Sequence, residues 1–223
     1  MILHGYEFKA VIFDMDGVLI DSEPLWKIAM SQAFEPIGSR LTVEDFQQTV
    51  GLRIDQVVRY WNLKEGWQLR DEAAVVDAIL EGMERLIREN PYALEGVHEI
   101  LDYFRQNGLL LSLATSSPKR LMETVLEVLQ LGRYFDSVHS AEGLPLGKPH
   151  PEVYLNAASA LTIAPTDCLV IEDSFNGVIA GKAARMQVVC IPEKTHHPNP
   201  KLAVADYRYA SLLALLAELR AAN

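Results

Sequence analysis

The chain has 223 residues, of which 49% are hydrophobic and 22% are charged, and its formal net charge is −10. This composition is sufficient for a sizeable buried core and argues against intrinsic disorder, and the negative charge argues against nucleic acid or an anionic membrane as a partner. Because the N-terminus lacks the basic-then-apolar pattern of a secretory signal and no apolar run approaches the roughly 18 residues of a membrane span, we expect a cytoplasmic protein.

The first predicted strand, Ala10–Phe13, is followed by a long stretch in which we find no convincing strand pattern. Between Glu23 and Asn90 the periodicity is helical, in the segments Pro24–Phe34, Val43–Thr49, Asp55–Trp61 and Asp71–Glu89. We therefore predict a helical unit of residues 21–90, inserted into a domain that is formed by residues 1–20 and 91–223.

From Pro91 onward, short apolar runs of strand length alternate with helical stretches. The predicted strands here are Leu109–Ala114, Leu169–Ile171 and Val188–Ile191. The predicted helices are Val97–Gln106, Pro118–Leu129, Pro151–Leu161, Gly177–Ala184 and Ser211–Ala221, and His196–Pro200 is predicted to be a turn-rich loop. Such alternation is typical of βαβ units and predicts an α/β fold with a parallel sheet.

Three of the apolar runs end abruptly in acidic or hydroxyl residues: Asp14-Met15-Asp16-Gly17, Thr115-Ser116-Ser117 and Glu172-Asp173-Ser174. Ligands of open α/β sheets bind outside the carboxyl ends of the strands, so these segments should converge on one site. The serines have an ordinary explanation as helix N-caps. The acids do not, because gathered carboxylates repel one another unless a cation neutralises them, and oxygen ligands without His or Cys favour Mg²⁺.

Two further spacings support a catalytic site. Asp14 and Asp16 are two residues apart at a strand end, and that period returns both side chains to the same face. Lys148, taken alone, would be interpreted as a solvated surface lysine, but it lies in Gly147-Lys148-Pro149 just ahead of a predicted helix.

In order and in residues, the segments Asp14-Met15-Asp16-Gly17-Val18, Thr115, Lys148-Pro149 and Glu172-Asp173-Ser174 resemble the four motifs of the haloacid dehalogenase-like phosphotransferases. The longer strings FDMDGVLIDSEPLW, GKPHPEVYLNAA and IEDSFNGVIAGKAARM are similar to the β-phosphoglucomutase-like subgroup, and the loops and insert look like those of bacterial 2-deoxyglucose-6-phosphate and hexitol phosphatases. The resemblance implies a Rossmann-like parallel sheet core with an α-helical cap inserted after the first strand. It also implies a Mg²⁺-dependent phosphatase of small sugar or polyol phosphates.

The resemblance assigns roles to the acidic residues. Asp14 would be the nucleophile that forms an aspartyl phosphate, and Asp16 would protonate the leaving group and then activate water. One Mg²⁺ per chain, with Mn²⁺ or Co²⁺ as substitutes, would be held by the carboxylates of Asp14 and Asp173 and the backbone carbonyl of Asp16. Glu172 would orient a metal-bound water instead of binding the metal directly.

The resemblance also names substrate contacts. The phosphate would be held by the hydroxyl of Thr115, the backbone N–H of Ser116 and the ammonium of Lys148, and the candidate contacts in the cap are Glu23, Trp26 and Arg53. Each cap residue has a plain structural alternative, since an arginine can lie in solvent and a tryptophan can simply pack between helices.

Several other functions remain open at this point. A β-phosphoglucomutase-type mutase shares the nucleophile and metal site, a phosphonatase would need a cap lysine such as Lys27 or Lys64, and a non-catalytic sugar-phosphate sensor would use the same fold. For the phosphatase, the expected partner is a small phosphorylated metabolite. We expect a monomer.

Overall fold

The computed structural model describes residues 1–49, 52–192 and 199–222. Gly51, next to the candidate Arg53, and residues 196–198 of the predicted turn-rich loop lie outside the described residues. The described residues contain eight strands and eight α-helices. The strands are β1 (Ile2–Leu3), β2 (Tyr6–Glu7), β3 (Ala10–Phe13), β4 (Leu110–Thr115), β5 (Ser137–Ser140), β6 (Cys168–Glu172), β7 (Gln187–Cys190) and β8 (Tyr207–Arg208). The helices are α1 (Glu23–Phe34), α2 (Ile54–Glu65), α3 (Glu72–Glu89), α4 (Val97–Gln106), α5 (Lys119–Val128), α6 (Glu152–Ala160), α7 (Phe175–Ala183) and α8 (Leu212–Ala222).

Six of the strands form one parallel sheet in the order β5-β4-β3-β6-β7-β8, while β1 and β2 form a separate antiparallel pair. Strand β3 lies in the middle of the sheet, where Phe13 is in register with Leu113 of β4 and Ile171 of β6. The predicted α/β fold with a parallel sheet is therefore confirmed. The register also brings the ends of these three strands to the same level.

Helices cover both faces of the sheet, because strand residues alternate between the faces. Val11 and Phe13 pack into the hydrophobic cluster formed with α4, α5 and α8, whereas Ala10 and Ile12 pack into the cluster formed with α6 and α7. Removing a Val, Ile or Phe side chain of this kind from water contributes about 1.5–3 kcal/mol. The central strands are thus fixed by burial on both sides.

Residues 21–90, which we call the helical insertion, contain helices and connecting segments and no strand in their described part. Helices α1 and α3 approach closely, since a Cβ at Gly82 would already be in contact with the Cβ of Ala29. Trp61 is fully buried within the insertion. A bridge between Ile20 and Ala93 marks the point where the chain leaves the sheet region and returns to it. The division into two domains at these points stays a prediction.

All four predicted strands are present, with ends that differ by at most one residue from the prediction. The predicted helices are also present, except that Val43–Thr49 forms only a short 3₁₀ helix, Asp45–Thr49, whose start is fixed when Asp45 accepts the N–H and hydroxyl of Thr42. Strands β1, β2, β5 and β8 were not predicted. In the described part of the chain, no helix is long and apolar enough to span a bilayer.

Candidate active site

The acidic residues that follow β3 and β6 come together at the carboxyl edge of the sheet. The N–H of Asp14 donates to the carbonyl oxygen of Ile171 at 2.9 Å, so the strand register continues one residue beyond β3. One carboxylate oxygen each of Asp14, Glu172 and Asp173 lies within 4.8 Å of the other two. The predicted convergence of these acids is present in the structure.

Lys148 supplies the positive charge at the centre of this group. Its Nζ donates to Asp14 Oδ1 at 2.8 Å, to Glu172 Oε1 at 2.8 Å and to the carbonyl oxygen of Ala114 at 3.0 Å, which uses all three ammonium hydrogens. Burial alone would lower the pKa of Lys148, but the charges on Asp14 and Glu172 outweigh it and the pKa is raised. Lys148 is therefore a buried lysine whose protonated form is favoured by two neighbouring carboxylates, and not a surface lysine.

Glu172 is fully buried and both of its oxygens are occupied by donors. Oε1 accepts from Lys148 Nζ and from the hydroxyl of Tyr154 at 2.7 Å, and Oε2 accepts from the N–H groups of Asp173 and Ser174 and from the Ser174 hydroxyl. Burial raises the pKa of Glu172, but Lys148 and these hydrogen bonds outweigh it and hold the pKa below its usual value. Although Glu172 is close enough to ligate a metal, its saturated oxygens suit a supporting position better.

The pKa values of Asp14 and Asp173 are shifted in the opposite direction to that of Glu172. Burial raises the pKa of Asp14 to about 7 in spite of Lys148, with a further contribution from Glu172. Burial, followed by the charges of Glu172 and Asp14, also raises the pKa of Asp173 well above its usual range. Two neighbouring carboxylates that resist ionisation, with oxygen-only ligands and no His or Cys among them, fit a hard divalent cation such as Mg²⁺.

Two glycines make room for the carboxylates. Gly17 has a φ of +71°, and a Cβ at this position would overlap the carboxylate of Asp173. A Cβ at Gly177 would likewise overlap the carboxylate of Glu172. The backbone therefore approaches both acids more closely than any other residue type at these positions would allow.

Asp16 is held by donors on both of its oxygens. Oδ1 accepts from the Ser22 hydroxyl at 2.5 Å and from Trp26 Nε1 at 3.3 Å, and Oδ2 accepts from the Ser117 hydroxyl at 2.6 Å. Ser22 and Trp26 belong to the helical insertion, whereas Ser117 follows β4. The orientation of Asp16 thus depends on both parts of the chain.

A cavity between the sheet edge and the insertion contains most of the predicted site residues. Its polar floor is lined by Asp14, Asp16, Thr115, Ser116, Lys148 and Asp173. Its roof, contributed by the insertion, is lined mainly by apolar side chains: Trp26, Met30, Phe46, Leu52, Ile54 and Val57. Ser116 Oγ is buried and has no hydrogen-bond partner within the described residues, so its hydroxyl is available to a ligand.

The three cap candidates differ in their placement. Glu23 and Trp26 line the cavity, and Glu23 Oε2 lies 3.3 Å from Lys27 Nζ. Arg53 is not among the residues that line the cavity, because its guanidinium is directed at Asp55 and at backbone carbonyls of the core. The roles of these residues toward a substrate stay predictions.

Three residues with defined contacts to the site had not been identified from the sequence. Tyr154 in α6 donates to Glu172, and its ring lies 4.6 Å from Lys148 Nζ. Ser22 and Ser117 donate to Asp16. Ser117 had been interpreted as a helix cap, and the hydroxyl cluster Thr115-Ser116-Ser117 was the sequence signal that could have identified it.

Comparison with known proteins gives one family. The haloacid dehalogenase-like hydrolase family matches residues 11–191. The chain is 40% identical over 213 residues to hexitol phosphatase B of Escherichia coli (strain K12), covering 95% of this chain and 96% of that protein. It is 34% identical over 191 residues to a phosphorylated carbohydrates phosphatase of Thermotoga maritima, covering 80% of this chain and 82% of that protein. The crystal structure of a β-phosphoglucomutase from Clostridium difficile superposes with a TM-score of 0.82 over 96% of this chain and 98% of that one, at 22% identity, which is a likeness of fold.

Proposed function

The chain belongs to the haloacid dehalogenase-like hydrolases, and from this premise we propose a substrate and a mechanism for its site. Relatives named hexitol phosphatase and phosphorylated carbohydrates phosphatase make it a phosphoric monoester hydrolase that acts on sugar phosphates. The proposed substrates are small sugar or polyol phosphates of the hexose 6-phosphate, 2-deoxyglucose 6-phosphate or hexitol phosphate type. The observation that carries the mechanism is the Asp14 carboxylate at the cavity floor, 2.8 Å from the Lys148 ammonium.

In the first step, a carboxylate oxygen of Asp14 attacks phosphorus in line. The new oxygen–phosphorus bond forms the aspartyl phosphate while the bond from phosphorus to the substrate oxygen breaks. Lys148 and the free hydroxyl of Ser116, together with Thr115, would counter the negative charge on the phosphoryl oxygens. Because Lys148 stays charged in its buried position, it can do so without gaining a proton.

Asp16 would move the protons. In the first step it gives a proton to the leaving alkoxide, which departs as the free sugar or polyol. In the second step it takes a proton from the water that attacks the phosphoenzyme, which releases inorganic phosphate and restores Asp14. The three donors on Asp16 keep its carboxyl group in one orientation, which supports the assignment of both transfers to this residue.

The charges around the site support the predicted Mg²⁺. Asp14, Asp16, Glu172 and Asp173 place four carboxyl groups near the ammonium of Lys148, so with all four ionised an entering phosphate would meet an excess of negative charge. The carboxylates of Asp14 and Asp173 and the backbone carbonyl of Asp16 would hold one cation, and Glu172 would orient a metal-bound water without binding the cation directly. When bound, Mg²⁺ supplies the positive charge that lets phosphate and carboxylates share the site.

The lysines of the insertion give little support to a phosphonatase. Lys27 is paired with Glu23, and Lys64 donates to Gln48 at 2.5 Å and lies over the rings of Tyr60 and Trp61. A phosphoglucomutase-type mutase stays the second candidate, since the overall fold matches such an enzyme. The monomeric state and the cytoplasmic location stay predictions from the sequence.

The test is phosphate release from a panel of hexose, pentose, polyol and triose phosphates, each with Mg²⁺ and with excess chelator. Release that requires the metal and that is lost in Asp14→Asn supports the proposal. Isomerisation of β-glucose 1-phosphate without phosphate release would instead favour the mutase. No release from any substrate, with purified and folded protein, would contradict the proposed substrates.

A further inference from the structure

Arg53 was expected to contact the substrate, yet its guanidinium is used elsewhere. Nε and Nη2 donate to the two carboxylate oxygens of Asp55 at 3.0 and 2.8 Å. Nη1 donates to the carbonyl oxygen of Leu144 at 2.7 Å and to that of Ala141 at 3.4 Å. Four of the five guanidinium hydrogens are therefore directed at acceptors outside the cavity.

The local backbone explains this direction. Arg53 immediately precedes α2 in an extended conformation, with φ −64° and ψ 145°. Side chains alternate in an extended segment, so the residues on either side of Arg53 face the opposite way. Leu52 and Ile54 both line the cavity, and Arg53 consequently points away from it toward the core.

The carbonyl groups that Arg53 reaches belong to residues 141–151, the segment between β5 and α6, which we call the Lys148 loop. The arginine side chain also crosses the backbone of Gly147, the residue before Lys148. A Cβ at Gly147 would lie 3.0 Å from Arg53 Cγ and 3.1 Å from Cδ, which is too close for an unstrained contact. Arg53 therefore contacts the Lys148 loop at Ala141 and Leu144 through hydrogen bonds and at Gly147 through its aliphatic carbons.

We propose that Arg53, oriented by Asp55, is a positioning residue that joins the helical insertion to the Lys148 loop, and is not a ligand of the substrate. Through this contact the insertion fixes the loop that carries the Lys148 ammonium opposite Asp14. The consequence for catalysis rests on the phosphatase function proposed above. The contact between Arg53 and the Lys148 loop does not depend on that function, since it links two parts of the substrate-free chain.

The two roles of Arg53 make opposite predictions for its partner. If Arg53 positions the Lys148 loop, Asp55→Asn weakens the orientation of the guanidinium and lowers kcat, as Arg53→Met does. If Arg53 instead binds substrate, Asp55→Asn releases the guanidinium from a competing carboxylate, so KM stays the same or falls. Asp55 is itself exposed on the outer side of α2 and lines no part of the cavity, so it has no contact with substrate to lose.

The kinetic experiment compares Arg53→Met, Arg53→Lys and Asp55→Asn with wild type on two substrates of different length. The control is Arg59→Met, which removes an exposed arginine of α2 whose ion pair with Glu72 lies within the insertion. We expect Arg53→Met to lower kcat by about 10- to 100-fold, from the loss of charge-assisted hydrogen bonds, with little change in KM for either substrate. Arg53→Lys should recover part of kcat because one ammonium can still reach the Leu144 carbonyl.

A second measurement is independent of activity. In substrate-free protein, amide hydrogen exchange of residues 142–148 should be faster in Arg53→Met and in Asp55→Asn than in wild type, and unchanged in the Arg59→Met control. Unchanged exchange in Arg53→Met, or a raised KM with unchanged kcat, would overturn the positioning role. If wild type released no phosphate from any substrate, the proposed function would fail, while the exchange result would still decide whether Arg53 holds the loop.

Discussion

Replacing Asp14 by asparagine should remove activity and, in metal-free buffer, raise the stability of the protein. Burial raises the pKa of Asp14 from 3.8 to about 7, with Lys148 opposing the shift and Glu172 adding to it. A carboxyl group with a higher pKa in the folded chain binds its proton more tightly when folded than when unfolded. The resulting penalty is absent below about pH 4, grows as the pH rises, and is complete above about pH 7.

The magnitude follows from the shift. A difference of about 3 pK units at about 1.4 kcal/mol per unit corresponds to a penalty of about 4 kcal/mol at pH 8. Asparagine has a similar shape and no charge, so it avoids this penalty, which already includes the attraction of Lys148. It gives up the charge-assisted hydrogen bond from Lys148, whose ammonium keeps Glu172 at 2.8 Å. We therefore expect Asp14→Asn to be more stable by about 1–3 kcal/mol at pH 8, and by less at pH 5.

The assay is urea unfolding at pH 8 and pH 5 with excess chelator, followed by tryptophan fluorescence, and repeated with Mg²⁺. Wild type should gain stability from Mg²⁺, whereas the variant, in which a neutral amide replaces a proposed carboxylate ligand, should gain less. Turnover should fall by at least about 10³-fold. In the control Asp16→Asn, the charge-assisted hydrogen bonds from Ser22, Trp26 and Ser117 are replaced by weaker neutral ones, so stability should decrease. An Asp14→Asn variant that is less stable than wild type at pH 8 in chelator would refute the reasoning.

Two further substitutions test the groups around the acids. Tyr154→Phe removes the hydroxyl that donates to Glu172 but keeps the ring next to Lys148, so we expect a loss of about 1–3 kcal/mol in the free energy of unfolding and a several-fold lower kcat. Urea unfolding and steady-state kinetics measure both, and unchanged stability would contradict the role of this hydrogen bond. Gly17→Ala places a Cβ on the carboxylate of Asp173, so half-maximal activity should require much more Mg²⁺, and a wild-type Mg²⁺ titration would argue against that crowding.

The strands that were predicted from the sequence are those buried on both faces. In β3 and β6 every residue is buried, and a continuous apolar run is the pattern that such burial requires. The edge strands β5 and β8 are short and partly exposed, with sequences SVHS and YR, and have no such pattern. Their strand conformation follows from pairing with β4 and β7, and the residues of β5 and β8 alone do not indicate that pairing.

The same distinction applies to the site. Asp14, Thr115 and Asp173 could be predicted to meet because the backbone brings them there: each follows or ends a strand of one parallel sheet. The hydrogen bond from Tyr154 to Glu172 could not be predicted from the sequence, because a tyrosine within an amphipathic helix has the pattern of a packing residue. Its role depends on where α6 lies against the sheet, and helical periodicity does not contain that position.

Arg53 shows how much depends on the direction of a single side chain. Its neighbours Leu52 and Ile54 line the cavity, so the segment that the family resemblance indicated lies next to the cavity, while the alternation of an extended backbone directs Arg53 itself toward the core. The insertion thereby contacts the two functional groups of the floor separately, Asp16 through Trp26 and the Lys148 loop through Arg53. Since both contacts require the insertion to be seated on the sheet edge, the proposed acid–base group Asp16 and the proposed phosphate-binding residue Lys148 should reach their working positions together, and only when the cavity is covered.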